Sequence, residues 1–429
     1  MLPRSRDHGQ AAALSAPEAP RDVEGTGLDR AILSDLALKV AYTVPQLTTG
    51  WAAQRLHLPL SIVGELLEQL RADHLLDILG QSGPFGFRYA ISQKGRDRSH
   101  RLMEISGYVG PAPVSLSSYT AMLESQMDQY PQVSPEVVEE SIAPLVLERQ
   151  ASQLAGLAIS SGRSLFVYGP PGNGKTSLGR LLHNAMAGDI WIPYCISVDG
   201  TVIRLYDTAW HQLSSLPGEN STAIDQRWVH IRRPMIVGGG ELTIENFDLN
   251  YNSILRYYEA PLHLKANGGM FLIDDFGRQR VEPRELMNRW IIPLEHRIDH
   301  LTLHTGSSIQ VPYRQMLIIA TNLDPATVMD QAFLRRMGYR LRLDKPTVQD
   351  YVRIFERYAA NVGAPIHPGV VDRLMNRYGG EQRDLRCCEP RDLIERVRDI
   401  CRFRNLSLEL THEHLDLAWM GYFGNTGPT

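Results

Sequence analysis

Hydrophobic positions recur at helical spacing in the first quarter of the chain. Apolar residues three and four positions apart fall on one face of a helix, so this periodicity predicts short amphipathic helices. In the third of them, Ile62, Leu66 and Leu70 lie on one stripe. The three helices are expected at residues 29–42, 48–56 and 61–73.

A hairpin and a further helix are expected next. Residues 75–79 are extended in this prediction, a Gly-containing turn follows, and residues 87–91 alternate as in a half-buried strand. Ser92 is a good N-cap for a helix that continues through Met103. The order of helix, helix, turn, helix and hairpin resembles the winged-helix domains, here at residues 29–106.

The charge of the third helix bears on what such a domain binds. DNA contact requires Lys or Arg facing phosphates, whereas the outward positions of this helix are net acidic. A protein-docking role is therefore favoured over DNA binding. Basic residues of the hairpin and last helix keep DNA as the alternative partner of residues 29–106: Arg88, Lys94, Arg96, Arg98 and Arg101.

Composition divides the rest of the chain. Residues 1–28 are rich in proline, glycine and alanine without an aromatic side chain, which predicts a disordered tail. Two glycines and two prolines open a predicted linker at residues 107–134. An α/β region is expected at residues 135–346, followed by a charged helical segment at 347–429.

The overall composition is that of a folded multidomain chain. Its 429 residues are 43% hydrophobic and 21% charged, with a formal net charge of −4. That charge gives the whole molecule no attraction to nucleic acid or to an anionic membrane. Four cysteines fit reduced thiols in a cytoplasmic protein rather than a disulfide framework or zinc site. No apolar stretch approaches the ~18 residues of a membrane span.

A glycine-rich loop carries the strongest chemical signal. It follows the apolar strand of residues 164–168 and precedes a predicted helix, the context that a phosphate-binding loop needs. Glycines let the backbone approach phosphates, the lysine neutralises the β- and γ-phosphates, and the threonine hydroxyl ligates Mg²⁺. The expected nucleotide-binding residues are Gly169, Pro170, Pro171, Gly172, Asn173, Gly174, Lys175, Thr176 and the adjoining Ser177.

Two carboxylates end a later apolar strand. Residues 270–273 are Met-Phe-Leu-Ile, and Asp274 and Asp275 follow directly. Such a pair suits a Walker B element, in which Asp274 holds Mg²⁺ together with Thr176, and Asp275 orients the attacking water.

These two motifs and a third strand together resemble the core of the AAA+ ATPases. The third strand is residues 316–322, and its last residue, Asn322, matches the sensor-1 position, which helps to place the lytic water. The resemblance implies an α/β P-loop fold, a three-layer parallel sheet with a helical C-terminal lid. It also implies ATP, Mg²⁺ and a homo-oligomeric ring, a hexamer by preference. One departure is Asp275, because the family usually has Glu there.

The resemblance also assigns three arginines. Residues 330–338 resemble the segment that carries the arginine finger, which reaches the ATP of a neighbouring subunit. Arg336 is the first choice for the finger and Arg335 the second. Arg391, near the start of a helix in the lid, matches sensor-2.

Two segments between the motifs have predicted structure of their own. Residues 252–263 are expected to be helical, and residues 301–311 to form a β-hairpin just before the sensor-1 strand. A hairpin there resembles the AAA+ branch of MoxR-like, magnesium-chelatase and enhancer-binding ATPases. The sequence therefore predicts an ATP-hydrolysing ring that remodels a protein partner. A DNA-directed ATPase and a slow nucleotide-dependent switch remain as alternatives.

Overall fold

The computed structural model describes residues 16–81, 87–130, 133–186, 188–215, 223–328 and 331–424. Its helices are α1 (Arg30–Tyr42), α2 (Thr49–Leu56), α3 (Leu60–Ala72), α4 (Gln93–Ile105), α5 (Leu116–Gln129), α6 (Pro135–Ile142), α7 (Arg149–Ser161), α8 (Lys175–Ala185), α9 (Leu262–Lys265), α10 (Pro283–His296), α11 (Pro325–Val328), α12 (Gln331–Arg336), α13 (Val348–Asn361), α14 (Val370–Gly380), α15 (Glu389–Phe403) and α16 (His412–Phe423). Its strands are β1 (Leu47–Thr48), β2 (Leu76–Gln81), β3 (Phe87–Ile91), β4 (Val114–Ser115), β5 (Leu165–Tyr168), β6 (Asp189–Pro193), β7 (Cys195–Val198), β8 (Thr201–Arg204), β9 (Trp228–Arg232), β10 (Met235–Gly238), β11 (Asn250–Asn252), β12 (Tyr257–Glu259), β13 (Met270–Ile273), β14 (Ile298–Thr302), β15 (Ser308–Pro312), β16 (Met316–Thr321) and β17 (Tyr339–Arg342).

The helices of the N-terminal region begin where capping side chains predict. The Asp29 carboxylate accepts a hydrogen bond from the amide of Ala31, and the Ser92 hydroxyl accepts one from the amide of Gly95. Strands β1, β3 and β2 form an antiparallel sheet in that order. The predicted helices and strands of this region are therefore present, with boundaries shifted by one or two residues.

Residues 16–28 correct the prediction of a disordered tail. Val23 is buried, and Glu18 forms a β-bridge with Ile224. The reason is a buried ion pair: Arg227 binds Asp225, and its guanidinium also donates to the carbonyl of Thr26 at 2.9 Å. A buried arginine has five donors to satisfy, and the backbone of this segment accepts one of them. Residues 1–15 lie outside the described residues.

The segment predicted to be helical at residues 252–263 is also a correction. Strands β11 and β12 pair as an antiparallel hairpin, and only the short α9 follows. The Asn252 side chain accepts hydrogen bonds from the amides of Ile254 and Leu255, which closes a turn. Arg256 has a φ of +52°, which a helix does not permit.

The predicted hairpin before the sensor-1 strand is present. Strands β14 and β15 pair in antiparallel register from Ile298 opposite Pro312 to Thr302 opposite Ser308. Another sheet has the strand order β11-β12-β8-β7-β4 and contains both parallel and antiparallel pairs. Strands β6 and β9 form a further antiparallel pair.

The α/β region is built on a five-stranded sheet with the order β10-β13-β16-β5-β17. Strands β16 and β17 both run parallel to β5 and flank it. The central strands β5, β13 and β16 are almost wholly buried, and they are apolar as far as Thr321, whereas the edge strand β17 alternates buried Leu341 with exposed Arg340 and Arg342. Helices α13 to α16 have their own apolar core, which includes Phe355, Leu393 and Trp419.

The chain separates into two compact units, which cut across the predicted ATPase core of residues 135–346. The first contains the described parts of residues 1–132, 186–271 and 285–316, and the second those of residues 133–185, 272–284 and 317–429. Among the described helices, none is both long enough and apolar enough to cross a membrane.

Candidate active site

The glycine-rich loop lies between the end of β5 and the start of α8, as its sequence predicts. Gly172 has a φ of +81°, and a Cβ placed on it would lie 2.7 Å from Sγ of Cys388. A side chain there is excluded both by the backbone conformation and by this close approach. The amide of Cys388 also donates to the carbonyl of Gly172 at 2.9 Å, which joins the loop to the start of α15.

Lys175 is folded over the loop. Its Nζ donates to the carbonyl oxygens of Gly169, at 2.9 Å, and Pro170, at 2.8 Å. The side chain is 7% exposed, and this burial lowers the pKa of the amine, an effect that Asp275 and Asp274 oppose. Phosphate oxygens can replace the two carbonyls as acceptors, so the amine is poised for an anion.

Thr176 and Asp274 are in direct contact. The threonine Oγ1 lies 2.8 Å and 2.9 Å from the two carboxylate oxygens of Asp274. A hydroxyl and a carboxylate so close together are oxygen ligands of the kind that Mg²⁺ takes alongside phosphate and water. Among the described residues, no group of three or more His, Cys, Asp or Glu side chains is placed to hold a metal.

Asp275 and Asn322 are joined as well. Nδ2 of Asn322 donates to Oδ1 of Asp275 at 3.0 Å, which fixes the direction of that carboxylate. Asp275 has a φ of +48°, a left-handed conformation that costs a non-glycine residue about 1–2 kcal/mol. Strain of this kind collects at functional sites, where surrounding contacts maintain it.

One cavity contains these groups. Its volume is about 460 Å³, within the range of small-molecule sites. Its lining is Leu145, Pro171, Gly172, Gly174, Lys175, Thr176, Ser177, Asp274, Asp275, Arg278, Asn322, Cys387, Cys388 and Arg391. All of these residues belong to the second compact unit.

The order of strands explains how the candidate site residues come together. Strand β16, which leads to Asn322, lies between β5, which leads to the loop, and β13, which leads to Asp274. The carboxyl ends of adjacent parallel strands share one edge of the sheet, so all three functional segments meet there. The chain has an α/β P-loop fold, with the strand order that the resemblance to AAA+ ATPases implies. The central position of the Asn322 strand is the arrangement that the sensor-1 resemblance requires.

Comparison with known proteins gives one family and several structures. Residues 347–421, which contain α13 to α15 and most of α16, match a domain of unknown function, DUF8689. No curated protein matches the sequence. The chain is similar in structure to RuvB from Thermotoga maritima, a Holliday junction branch migration motor, with 14% identity, a TM-score of 0.38, and coverage of 65% of this chain and 70% of RuvB. It is also similar to NtrX from Brucella abortus in complex with ADP, with 15% identity, a TM-score of 0.41, and coverage of 78% and 67%.

The three arginines assigned by resemblance lie in different surroundings. Arg391 lines the cavity of the AAA+ core, and both its Nε and Nη2 contact Oδ1 of Asp392, at 3.1 Å and 3.0 Å. This hydrogen bond is the main reason that the pKa of Arg391 is raised. Arg335 and Arg336 end α12, the former exposed and the latter half-buried, and neither belongs to the lining described above.

Four lining residues were missed by sequence reasoning. Arg278 follows the acidic strand, Leu145 precedes α7, and Cys387 and Cys388 lead into α15. Burial raises the pKa of Cys387 to about 11 and also raises that of Cys388, so both remain thiols at neutral pH. No motif marks Leu145 or the cysteines, but Arg278 lies three residues after Asp275, a spacing that a search around the acidic pair would have included.

Proposed function

We propose that this chain is an ATP-hydrolysing AAA+ ATPase that works in a homo-oligomeric ring and remodels a protein partner. The observation that carries the proposal is the shared cavity, in which Lys175, the Thr176–Asp274 contact and the Asp275–Asn322 contact lie together. A cation, a metal-binding oxygen pair and a directed carboxylate are the parts that phosphoryl transfer to water needs.

Each residue has a defined task in this proposal. Lys175 exchanges its carbonyl partners for the β- and γ-phosphate oxygens of ATP. Thr176 and Asp274 hold Mg²⁺, which neutralises developing charge on the phosphates when it is bound. Asp275 orients the attacking water, and Asn322 keeps that carboxylate in position.

Three arginines assigned by resemblance complete the proposed mechanism. Arg391 couples the lid to the nucleotide state, because it lines the cavity from α15. Arg336, with Arg335 as the second choice, is the finger that enters the site of a neighbouring subunit. The β14–β15 hairpin supports placement near the MoxR-like branch, and the four free cysteines fit the cytoplasm.

The direct test compares the parent with Lys175→Ala. ATP affinity by calorimetry and multiple-turnover phosphate release are measured with Mg²⁺ present. We expect the variant to lose ATP binding, because the substitution removes the buried cation of the loop. Lys345→Ala is the matched control, since that lysine is exposed and pairs with Asp384 at the surface. Equal ATP affinity in the parent and Lys175→Ala contradicts the proposed function.

DNA is the second candidate for the partner. The acidic residues of α3 are already engaged: Glu68 accepts from Arg71 and from the Tyr89 hydroxyl, and Glu65 pairs with Arg30. Their charge is therefore partly compensated within the chain. Binding of duplex DNA by the full chain, measured by fluorescence anisotropy over a series of salt concentrations, separates the candidates. A salt-dependent affinity that falls in an Arg88, Arg96 double-alanine variant favours DNA, and no binding favours a protein partner.

A further inference from the structure

Arg278 is an unassigned cation in the nucleotide cavity. It lines the same cavity as Lys175, Asp275 and Asn322, and it is exposed rather than packed into the core. Within the described part of the chain, its guanidinium has no hydrogen bond or ion pair. The other two cations of the lining are engaged, because Lys175 binds two loop carbonyls and Arg391 binds Asp392.

The turn that carries Arg278 is fixed by its own hydrogen bonds. Nε2 of Gln279 donates to the carbonyl of Asp274 at 2.9 Å, and its Oε1 accepts from the amide of Gly277 at 2.8 Å. The amide of Arg278 itself donates to the carbonyl of Asp275 at 3.0 Å. These bonds hold the backbone of Arg278 within one turn of the carboxylate that faces the lytic water.

Glycine is required in this turn. Gly277 has a φ of +98°, and a Cβ there would lie 2.4 Å from Cδ1 of Leu323, the residue after Asn322. The turn therefore packs directly against the end of the sensor-1 strand. The left-handed backbone at Asp275 and Gly277 turns the chain so that the exposed side chain of Arg278 lines the cavity that also contains Asp275.

We propose that Arg278 binds the terminal phosphate of ATP within its own subunit and stabilises the charge that develops there during hydrolysis. This inference rests on the proposed ATPase function and adds a catalytic residue to it. A guanidinium presents a planar fork of donors that matches two phosphate oxygens at once. Arginines that do this from the same chain are known in phosphoryl transfer, where such a residue contributes about 10³–10⁵ in rate.

The chemical step needs no group beyond those already named. The water oxygen bonds to the γ-phosphorus, the bond from that phosphorus to the bridging oxygen breaks, and ADP, inorganic phosphate and a proton result. Arg278 exchanges no atom, and its guanidinium stays protonated throughout, as arginine side chains do in proteins. Its role is electrostatic, so it must contact the γ-phosphate and leave ADP untouched.

The test uses Arg278→Ala, with Arg280→Ala as the matched control. Arg280 is exposed, lies two residues further on, and is outside the cavity lining. Affinities for ADP and for a non-hydrolysable ATP analogue are measured by calorimetry, and turnover by phosphate release. We expect Arg278→Ala to bind the analogue about tenfold or more weakly, to bind ADP like the parent, and to turn over about 10³-fold more slowly. Arg278→Lys keeps the charge but loses the fork, and we expect intermediate values.

Measuring turnover at several protein concentrations distinguishes an arginine that acts within its own subunit from an arginine finger supplied by a neighbouring subunit. The ratio of parent turnover to Arg278→Ala turnover is expected to be the same in assembled and in diluted protein, because the residue acts within its own subunit. Analogue affinity and turnover in Arg278→Ala within about twofold of Arg280→Ala overturn the proposal. Equal losses of ADP and analogue affinity also overturn it, since they indicate a damaged site.

Failure of the proposed function has a different signature. If the parent binds nucleotide without hydrolysing it, the ATPase proposal fails, and the difference between analogue and ADP affinity still decides the role of Arg278. If the parent binds no nucleotide, both proposals are wrong.

Discussion

The nucleotide cavity and the N-terminal region of residues 29–106 use buried polar groups in opposite ways. In the cavity, Lys175 is buried, Asp275 is strained, and polar side chains bind one another. In the N-terminal region, α1 to α3 bury aliphatic side chains almost exclusively, such as Leu33 and Leu66. A core of that kind stabilises a fold, whereas an arrangement of mutually bonded charges and strained backbone is stable only where the rest of the structure maintains it.

The N-terminal region has one exception, a buried lysine in α1. Lys39 is 7% exposed, and its Nζ donates to the carbonyl of Ser106 at 3.0 Å. Burial lowers its pKa to about 8, although Asp35 opposes the effect. We therefore expect substitutions of charged residues in the cavity to change turnover with little effect on the free energy of unfolding. Substitution of Lys39 should change the free energy of unfolding and leave turnover unchanged.

The largest effect expected in the cavity depends on assembly. Arg336→Ala should bind ATP normally but hydrolyse it about 10³-fold more slowly, because the neighbouring subunit, which supplies this charge in the parent, now lacks it. Mixing this variant with Lys175→Ala should restore activity, since each Lys175→Ala subunit still offers its Arg336 to an intact site. Phosphate release from defined mixtures measures the recovery.

Parent protein provides the control, because turnover per subunit should fall when the ring dissociates on dilution. Absence of recovery despite demonstrated co-assembly would show that Arg336 is not the finger, and Arg335 would then be examined in the same way.

Asp275→Asn should separate binding from turnover. The amide keeps the shape of the side chain but loses the charge that orients water, so we expect unchanged ATP affinity and about 10²–10³-fold slower phosphate release. The free energy of unfolding should remain within about 0.5 kcal/mol of the parent, because this side chain is exposed. Parent-like turnover in the variant would move the water-orienting role to another carboxylate, and negligible turnover in the parent itself would favour the slow nucleotide-dependent switch.

Lys39→Met should change stability alone. At pH 7 the folded chain holds a buried ammonium whose pKa lies below the 10.5 of an exposed lysine, so the charge destabilises the fold. We expect the variant to be more stable by about 1–3 kcal/mol in denaturant titrations, with turnover unchanged. Exposed Lys94 provides the control variant, Lys94→Met.

The pH dependence gives this prediction its sign. Between pH 8 and 10.5 the unfolded chain binds more protons at Lys39 than the folded chain does, so the parent gains stability as the pH rises. The advantage of Lys39→Met should therefore shrink over that interval. If the difference in free energy of unfolding between Lys39→Met and the parent stays constant from pH 7 to 10.5, the stabilisation comes from packing and not from loss of the charge.

The sequence predicted the parts of the site that depend on local chemistry. Glycine spacing, the position of Lys175 and the acidic pair predicted a phosphate loop and a pair of metal-binding oxygens, because each signal lies within a few consecutive residues. Arg278 was overlooked, since its significance depends on the turn that Gln279 holds and on the cavity that this turn brings it to line. The helix expected at residues 252–263 was wrong because an Asn252 turn and strand pairing overrode helical composition.

What the sequence alone determined is therefore the strand–loop–helix setting of Lys175, the apolar strand that precedes the acidic pair and the caps that begin the N-terminal helices. All of these follow from residue types at short, fixed spacing. Tertiary structure decided that strand β16 lies between β5 and β13, which brings Asn322 to Asp275. It also decided that residues 16–28 fold, because Arg227, about 200 residues away in sequence, needs the carbonyl of Thr26 as an acceptor. Contacts between residues so far apart depend on the path of the whole backbone, which local pattern does not specify.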